Sequence, residues 1–147
     1  MGKRAKRLLL IGLDGAMPSL LRKFLREGKL PTISRLVERG FLGEALPCPP
    51  CDTPTNWTTI ATGLKAGEHG ATSFYAHRPG DPLDVGLRHR GRTLLASFVK
   101  GPFLWDLLDE AGLRCLVLNY PAGWPPRLKG GYGVAGWFPI PGVPPLV

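Results

Sequence analysis

The apolar residues of this chain follow two patterns, one typical of buried strands and one typical of amphipathic helices. Two nearly continuous apolar runs, residues 8–13 and 115–118, have the pattern of strands covered on both faces in a parallel sheet. Other segments carry apolar residues at helical spacing, with proline or glycine at their ends. We predict helices that begin at Pro18, after Pro31, near Asn56 and at Pro102, and that end at Gly28, Gly40, Gly63 and Gly112. Strands and helices in this order indicate an α/β fold with a parallel sheet.

Three of the predicted helices have an apolar face that should point inward. These faces are Leu20, Leu21, Phe24 and Leu25; Ile33, Leu36 and Val37; and Leu104, Leu107 and Leu108. Residues 47–55 contain four prolines and are predicted to be a loop. Residues 67–92 are predicted to form long loops with one short strand at residues 72–75. Residues 121–147 are dominated by Gly and Pro and carry no predicted terminal helix or strand.

Length and composition describe a small protein with a real core. The 147 residues suffice for one domain or part of one, and 44% hydrophobic with 20% charged residues is ordinary for a globular chain. The 20 glycines and 16 prolines mark many loops. A net charge of +8 favours anionic partners without specifying them.

The sequence predicts neither a membrane span nor a disulfide framework. Residues 8–13 are far short of the ~20 apolar residues that a spanning helix needs, and Asp14-Gly15 does not resemble a signal-peptide cleavage site. We interpret residues 1–7 as a solvated basic tail. Three cysteines are few and odd in number, which fits a reducing compartment, so we expect a cytoplasmic protein.

Three short motifs resemble functional signatures but lack their context. Residues 131–136 match G-x-G-x-x-G without the required strand before and helix after, so we predict a loop or short strand and no dinucleotide cofactor. Cys48 and Cys51 form a C-x-x-C without a second ligand pair or a preceding strand, so we interpret them as two loop cysteines. The basic run at residues 3–7 has no interleaved aromatic residues, so we do not expect nucleic acid to be a partner.

Three local features point to chemistry when they are taken together. Asp14 follows the first predicted strand, where ligands and metals collect in open α/β sheets; alone it is equally well a turn aspartate before Gly15. Thr53 precedes a predicted helix whose free N–H groups favour bound phosphate; alone it is best explained as an N-cap. Thr62-Gly63 and the turn at residues 67–70 end that helix, and by themselves they are loop signals.

With these motifs the chain resembles the type I phosphodiesterase/nucleotide pyrophosphatase family of the alkaline phosphatase superfamily, and within it the predicted phosphohydrolases or phosphomutases. The strongest match is the spacing of Thr53, Asn56, Thr62 and Gly63, followed by the Gly-Glu-His-Gly turn at residues 67–70. Further matches lie at residues 11–16, 30–40, 103–112 and 119–126. The resemblance implies the N-terminal part of an alkaline-phosphatase-like sandwich, in which helices flank a mostly parallel sheet.

The resemblance also implies roles for three residues. Asp14 matches a carboxylate ligand of one of two divalent metals, usually zinc in relatives, with manganese as the alternative. Thr53 matches the nucleophile, which also binds that metal and becomes transiently phosphorylated. Asn56 matches a residue that hydrogen-bonds a non-bridging phosphate oxygen. These roles are chemically sound, because a threonine hydroxyl is a poor nucleophile until a metal stabilises its alkoxide. Thr55 is an alternative nucleophile by position, but the spacing favours Thr53.

The chain departs from the family in its metal ligands. Relatives complete the two-metal site with Asp and His residues from a later region. Nothing after Arg92 matches them, since that stretch has no histidine and its acidic residues are Asp106, Asp109 and Glu110 on a predicted helix. We therefore expect residues 1–147 to be the N-terminal portion of a single longer catalytic domain. Alone it should be inactive, because Asp14 and Thr53 are too few ligands for tight metal binding.

The sequence thus leads to one function and one rival. The function is the metal-dependent hydrolysis of a small-molecule phosphate ester, with Thr53 as the nucleophile of the full-length protein. The rival is a non-catalytic basic module that binds nucleic acid or another polyanion, suggested by the charge of +8 and the N-terminal Lys/Arg cluster. Such binding would weaken steeply with salt and would be insensitive to Thr53→Ala. Sulfatases share the site architecture but typically use Cys or Ser, so Thr53 argues against them.

Overall fold

The computed structural model describes residues 7–76, 80–82 and 92–134. The chain divides into two compact units, Met1–Leu46 (unit one) and Pro47–Val147 (unit two). The described elements are helices and one small parallel sheet, which fit the predicted α/β class. None of the helices in these residues is long and apolar enough to cross a membrane. Residues 1–6 of the predicted basic tail and residues 135–147 of the Gly/Pro-rich stretch lie outside the described residues.

The two helices of unit one begin where the sequence predicts them. They are α1 (Pro18–Arg26) and α2 (Pro31–Arg39). Proline suits the first turn of a helix, because the backbone N–H there has no helical acceptor and the φ of proline is already helical. α1 ends at Arg26, and Gly28 follows two residues later with a φ of 67° and donates its N–H to the carbonyl oxygen of Leu25 at 3.1 Å. The positive φ makes glycine the residue that ends this helix without strain.

The predicted apolar faces of these helices are confirmed only in part. Half-buried positions are Leu21, Phe24 and Leu25 on α1 and Ile33 and Val37 on α2. Leu20 and Leu36 were expected to point inward as well, but both are exposed. Short helices with one narrow apolar face bury its centre first, so residues at the margin of the face remain in solvent.

The first predicted strand is absent from the described part of unit one. Residues 8–13 lie outside any strand, and Leu9 and Ile11 are 81% and 71% exposed. A strand needs a hydrogen-bonded neighbour, and a parallel sheet needs cover on both faces. The described residues of this unit supply two helices and no second strand, so the prediction is wrong here. Asp14 consequently lies in an exposed turn before Gly15 rather than at the end of a strand.

Unit two contains the remaining described elements. They are α3 (Thr53–Thr62), α4 (Ala66–His69), a 3₁₀ turn (Arg92–Leu94), α5 (Leu104–Glu110), β1 (Leu116–Leu118) and β2 (Tyr132–Val134). β1 and β2 pair in parallel, with Leu116 opposite Tyr132 and Leu118 opposite Val134. The parallel pairing and the short strand β2 agree with the sequence-based expectations. The predicted strand at residues 72–75 is wrong, because those residues form bends and pair with no strand among the described residues.

The core of unit two differs from the predicted one at α5 and β1. Trp105 and Asp106 are the buried residues of α5, whereas Leu104 and Leu107 are exposed. The aromatic pair before and within this helix takes the inward side and displaces Leu104 and Leu107, while Leu108 stays half-buried as predicted. β1 is half-buried only at Val117, since one face of the two-stranded sheet packs on the core and the other faces solvent.

An aromatic stack forms the centre of this core. The cluster consists of Ala61, Ala71, Ala96, Val99, Phe103 and Trp105. The rings of Phe103 and Trp105 lie 4.7 Å apart and nearly parallel, and Trp105 meets Tyr120 edge to face at 5.1 Å. Tyr120 packs in turn on Trp57 at 5.0 Å, with perpendicular rings. Since Trp57 belongs to α3, this row of rings ties α3 to the centre of unit two.

Candidate active site

The candidate nucleophile Thr53 is the first residue of α3. The helix starts three residues earlier than predicted, because Asp52 caps it: the Asp52 carboxylate accepts the Thr53 backbone N–H at 2.7 Å. Pro54 follows, and its missing N–H costs nothing in a first turn. Thr53 is half-buried, whereas the sequence placed it in the loop before the helix. The hydroxyl of Thr53 is therefore held on a regular helix rather than on a flexible loop.

Asn56 lies one turn further along α3, and its side-chain amide organises the preceding loop. The Asn56 Oδ1 accepts the backbone N–H of Cys48 at 2.8 Å. Its Nδ2 donates to the carbonyl oxygens of Asp52 at 3.0 Å and of Cys48 at 3.3 Å. An amide has two N–H donors, so both are occupied inside the protein. A phosphate oxygen would need one of them, and the longer bond to Cys48 is the weaker of the two.

The two candidate nucleophiles, Thr53 and Thr55, differ in their exposure to solvent. Thr55 is 0% exposed, and its Oγ1 is among the buried side-chain atoms without a hydrogen-bond partner in the described part of the chain. Thr58, one turn on, shares both properties. A hydroxyl that solvent does not reach cannot meet a substrate without rearrangement of the core. Burial therefore favours Thr53 over Thr55 as the accessible hydroxyl, in agreement with the spacing argument.

The C-terminal end of α3 is closed by local hydrogen bonds. The Thr62 hydroxyl donates to the Thr58 carbonyl oxygen at 2.8 Å and accepts the Leu64 N–H at 3.2 Å. Gly63 has a φ of 70°, the left-handed conformation common at helix ends. Thr62 and Gly63 thus have a structural role in this geometry. They fix the length of α3 and so the distance between Thr53 and the following turn.

His69 is fully buried and holds the turn at residues 67–70 in place through hydrogen bonds. Its Nδ1 accepts the Ala71 N–H at 3.1 Å, so the other ring nitrogen carries the proton and donates to the Thr59 hydroxyl at 2.9 Å. Its backbone carbonyl oxygen accepts the Lys100 N–H at 3.0 Å. Burial lowers the pKa of His69 below its ordinary value of 6.5, against a smaller opposing effect of the Glu68 carboxylate. Both ring nitrogens serve the fold and neither is available to a metal.

We expect the protonation of His69 to destabilise unit two in mild acid. The folded state holds the neutral ring, so its pKa lies below that of the unfolded chain. As the pH falls through about 6.5, the unfolded chain takes up the proton first and the free energy of unfolding decreases. Urea denaturation at pH values between about 7 and 5 should show this loss for the wild type. His69→Gln keeps one donor and one acceptor and should flatten the dependence; equal slopes for both proteins would contradict the assignment.

Tyr120 reaches α3 from far along the chain. Its hydroxyl donates to the Trp57 carbonyl oxygen at 2.8 Å. Burial strongly raises the pKa of this phenol, so it remains a neutral donor at physiological pH. Together with the ring contact to Trp57, this bond holds the second turn of α3 in place. The motif at residues 119–126 thus supports α3 from the distant part of the sequence.

The described residues bring Thr53 and Asn56 together on one helix, while Asp14 belongs to the other unit. Among them there is no group of three or more His, Cys, Asp or Glu side chains that could hold a metal ion. These described residues therefore do not by themselves form the two-metal site that the resemblance implies. Sequence reasoning missed Asp52 and Tyr120. The Asp-Thr-Pro sequence is a local N-cap signal that could have revealed Asp52. The role of Tyr120 depends on a long-range contact that no local pattern shows.

A known protein family accounts for most of this chain. The family model described as type I phosphodiesterase / nucleotide pyrophosphatase matches residues 8–143. The chain belongs to this family. No curated protein and no solved structure matched it. The resemblance found in the motifs is thereby confirmed, and membership in the type I phosphodiesterase family supports a hydrolase that acts on phosphate esters. Such enzymes are generally metal-dependent.

Proposed function

We propose that this chain carries the nucleophile of a metal-dependent phosphoric-ester hydrolase with an alkaline-phosphatase-like sandwich fold. The observation that carries the proposal is the position of Thr53. It occupies the family's nucleophile spacing, begins a capped helix and is reachable by solvent, whereas Thr55 is sealed in the core. The substrate class is a small-molecule phosphate ester, since that is what the family acts on.

In the proposed reaction the Thr53 oxygen attacks the phosphorus atom of the ester. A bond forms between this oxygen and phosphorus, the bond from phosphorus to the leaving oxygen breaks, and the Thr53 hydroxyl proton passes through solvent to that oxygen, which departs as an alcohol. Water then attacks the phosphothreonine, which releases phosphate or a phosphomonoester and restores the hydroxyl. α3 holds the attacking oxygen in one place, so part of the entropy cost of reaching the transition state is already met by folding.

The N-terminal end of α3 offers fewer phosphate-binding donors than the sequence predicts. The Thr53 N–H is already donated to the Asp52 carboxylate, and Pro54 has none. The carboxylate also opposes an approaching phosphate. The side-chain amide of Asn56 is thus the more important donor, and binding a non-bridging oxygen requires its Nδ2 to leave the Cys48 carbonyl oxygen. The exchange replaces a 3.3 Å bond by one to a charged acceptor, which is stronger.

The proposed enzyme requires divalent metal ions, zinc or manganese, because the family is generally metal-dependent. When bound, a metal would stabilise the alkoxide form of the nucleophile. Asp14 and Thr53 are the two ligands that this chain contributes by motif. Two ligands bind too weakly for a resident metal, so residues 1–147 by themselves should give no turnover. The remaining ligands would come from other residues of the complete protein.

Steady-state hydrolysis assays test the proposed class directly. The protein expressed from the complete open reading frame should release nitrophenol from a chromogenic phosphodiester or phosphomonoester in the presence of Zn²⁺ or Mn²⁺. A chelator should abolish this turnover and added metal should restore it. Turnover that is unaffected by the chelator would contradict metal dependence, and full turnover by residues 1–147 alone would contradict the ligand count.

A further inference from the structure

Two thiols lie in the loop that leads into α3. Cys48 and Cys51 are separated by Pro49 and Pro50, and both are free. Cys48 is half-buried, and Cys51 is exposed. The Asp52 N–H donates to the Pro50 carbonyl oxygen at 2.7 Å, which makes the chain turn tightly just before the helix. The two thiols are thus three residues apart on a short, proline-restricted segment that small molecules can reach.

Both cysteines are tied to the start of α3. The backbone N–H and the carbonyl oxygen of Cys48 are each hydrogen-bonded to the Asn56 side chain. Cys51 precedes Asp52, the residue that caps the helix. A covalent change at these thiols therefore acts on both ends of the first turn, through Asn56 at one end and through Asp52 at the other. Cys115 is half-buried beside the core cluster, far along the chain, and has no such connection.

We propose that Cys48 and Cys51 form a dithiol modification site that a low-molecular-weight disulfide converts into an intramolecular disulfide. The exposed Cys51 sulfur attacks one sulfur of the small disulfide, its proton passes to the departing thiol, and a mixed disulfide results. The Cys48 sulfur then attacks the Cys51 sulfur and expels the second small thiol with the Cys48 proton. Two thiols of the protein lose two electrons and two protons, and the small disulfide becomes two thiols.

Closure of this disulfide changes the surroundings of Asn56. A disulfide requires the two Cα atoms to lie within about 7 Å and the Cβ atoms within about 4.5 Å, so the Cys48 peptide group must follow its sulfur. Since the two prolines restrict φ at the intervening positions, the movement passes to the peptide group that Asn56 holds. Both backbone hydrogen bonds between Cys48 and the Asn56 side chain then open, first the longer one from Nδ2 to the Cys48 carbonyl oxygen and then the one from the Cys48 N–H to Oδ1. If the proposed function is correct, oxidation thereby releases the donor that a phosphate oxygen needs.

The first experiment measures the modification itself on the purified protein. Wild type and the single variants Cys48→Ser, Cys51→Ser and Cys115→Ser are incubated with oxidised glutathione and analysed by intact mass. Wild type and Cys115→Ser should each lose about 2 Da without gaining glutathione, because the pair closes. Cys51→Ser should react slowly, and Cys48→Ser should stop at one bound glutathione. Wild-type protein that keeps all its thiols, or that stops at a stable mixed disulfide, would overturn the proposal.

A second measurement tests the link to Asn56 without using activity. The Cys48 amide should exchange with deuterium at least about tenfold faster in the oxidised than in the reduced protein, because it loses its acceptor on Asn56. Unchanged exchange would refute the release of Asn56. Turnover of the protein expressed from the complete open reading frame is measured in parallel with added Zn²⁺ or Mn²⁺. Its absence in both redox states counts against the hydrolase, while the mass and exchange results still decide the disulfide. Cys115→Ser serves as the matched control, since its pair of loop thiols is intact.

Discussion

Replacing Thr53 by alanine should lower metal-dependent turnover of the complete protein by about a thousandfold or more, because it removes the attacking oxygen. The substitution deletes a half-buried hydroxyl in the first turn of α3 and leaves the Asp52 cap on the backbone intact. Folding should therefore be little affected, and the loss should appear in kcat. Thr53→Ser, which keeps a hydroxyl at the same position, should recover measurable activity. Rates with a chromogenic phosphate ester, together with thermal denaturation of each variant, check this.

Thr55→Val is the matched control for that experiment. It removes a hydroxyl two residues away that is buried and lacks a partner in the described structure, and it keeps the shape of the side chain. Replacing an unsatisfied buried hydroxyl by a methyl group is neutral or stabilising. Turnover of Thr55→Val should thus equal that of the wild type. Loss of turnover in Thr55→Val but not in Thr53→Ala would make Thr55 the nucleophile, and equal turnover in all three proteins would remove both candidates.

Replacing Phe103 by alanine should destabilise unit two by about 3–5 kcal/mol. The ring is 0% exposed and stacks on Trp105 at 4.7 Å, so its removal leaves a cavity and breaks the row of rings that reaches α3. The Arg127 guanidinium, 5.9 Å from the centre of the same ring, loses its aromatic partner as well. Against a typical total of about 5–15 kcal/mol for a domain, this is enough to unfold a marginal protein.

Urea denaturation of the purified protein measures this effect, and Leu107→Ala supplies the comparison. Leu107 lies on the same helix, α5, but is 48% exposed. Its truncation should cost no more than about 1 kcal/mol, because little apolar surface is lost from the core. Similar shifts of the denaturation midpoint for both variants would show that the core does not centre on Phe103.

The parts of the fold that sequence predicted correctly are those set by neighbouring residues. α1 and α2 begin at Pro18 and Pro31 because the proline itself favours the first turn, and α3 ends at Gly63 because a left-handed residue is needed there. Predictions of strands were wrong more often, since a strand exists only where a distant segment pairs with it. The apolar run at residues 8–13 met every local criterion for a strand and remains outside one.

In the candidate site too, features set by neighbouring residues could be predicted, and features set by long-range packing could not. Thr53 was expected in the loop before α3, and it lies in the helix because Asp52 caps it. The position of Asn56 near the start of the helix does follow from the sequence pattern. The amide contacts of Asn56 with the Cys48 backbone do not, because a proline-rich loop has no periodicity from which its path could be derived. The inaccessibility of Thr55 is likewise a property of packing. Which side of α3 is buried depends on the segments that pack against the helix, and these are distant in the sequence.

The hydrogen bond from Tyr120 to the Trp57 carbonyl oxygen joins residues that are 63 positions apart. It anchors α3 to the segment directly after β1, rather than to its own sequence neighbours. Local fraying of α3 from within its second turn would break this bond and uncover Trp57 and Tyr120 at once. We therefore expect the second turn of α3 and the end of β1 to share one opening free energy in native-state hydrogen exchange. The precision with which Thr53 is held is thus set by the cooperativity of the whole unit and not by the helix alone.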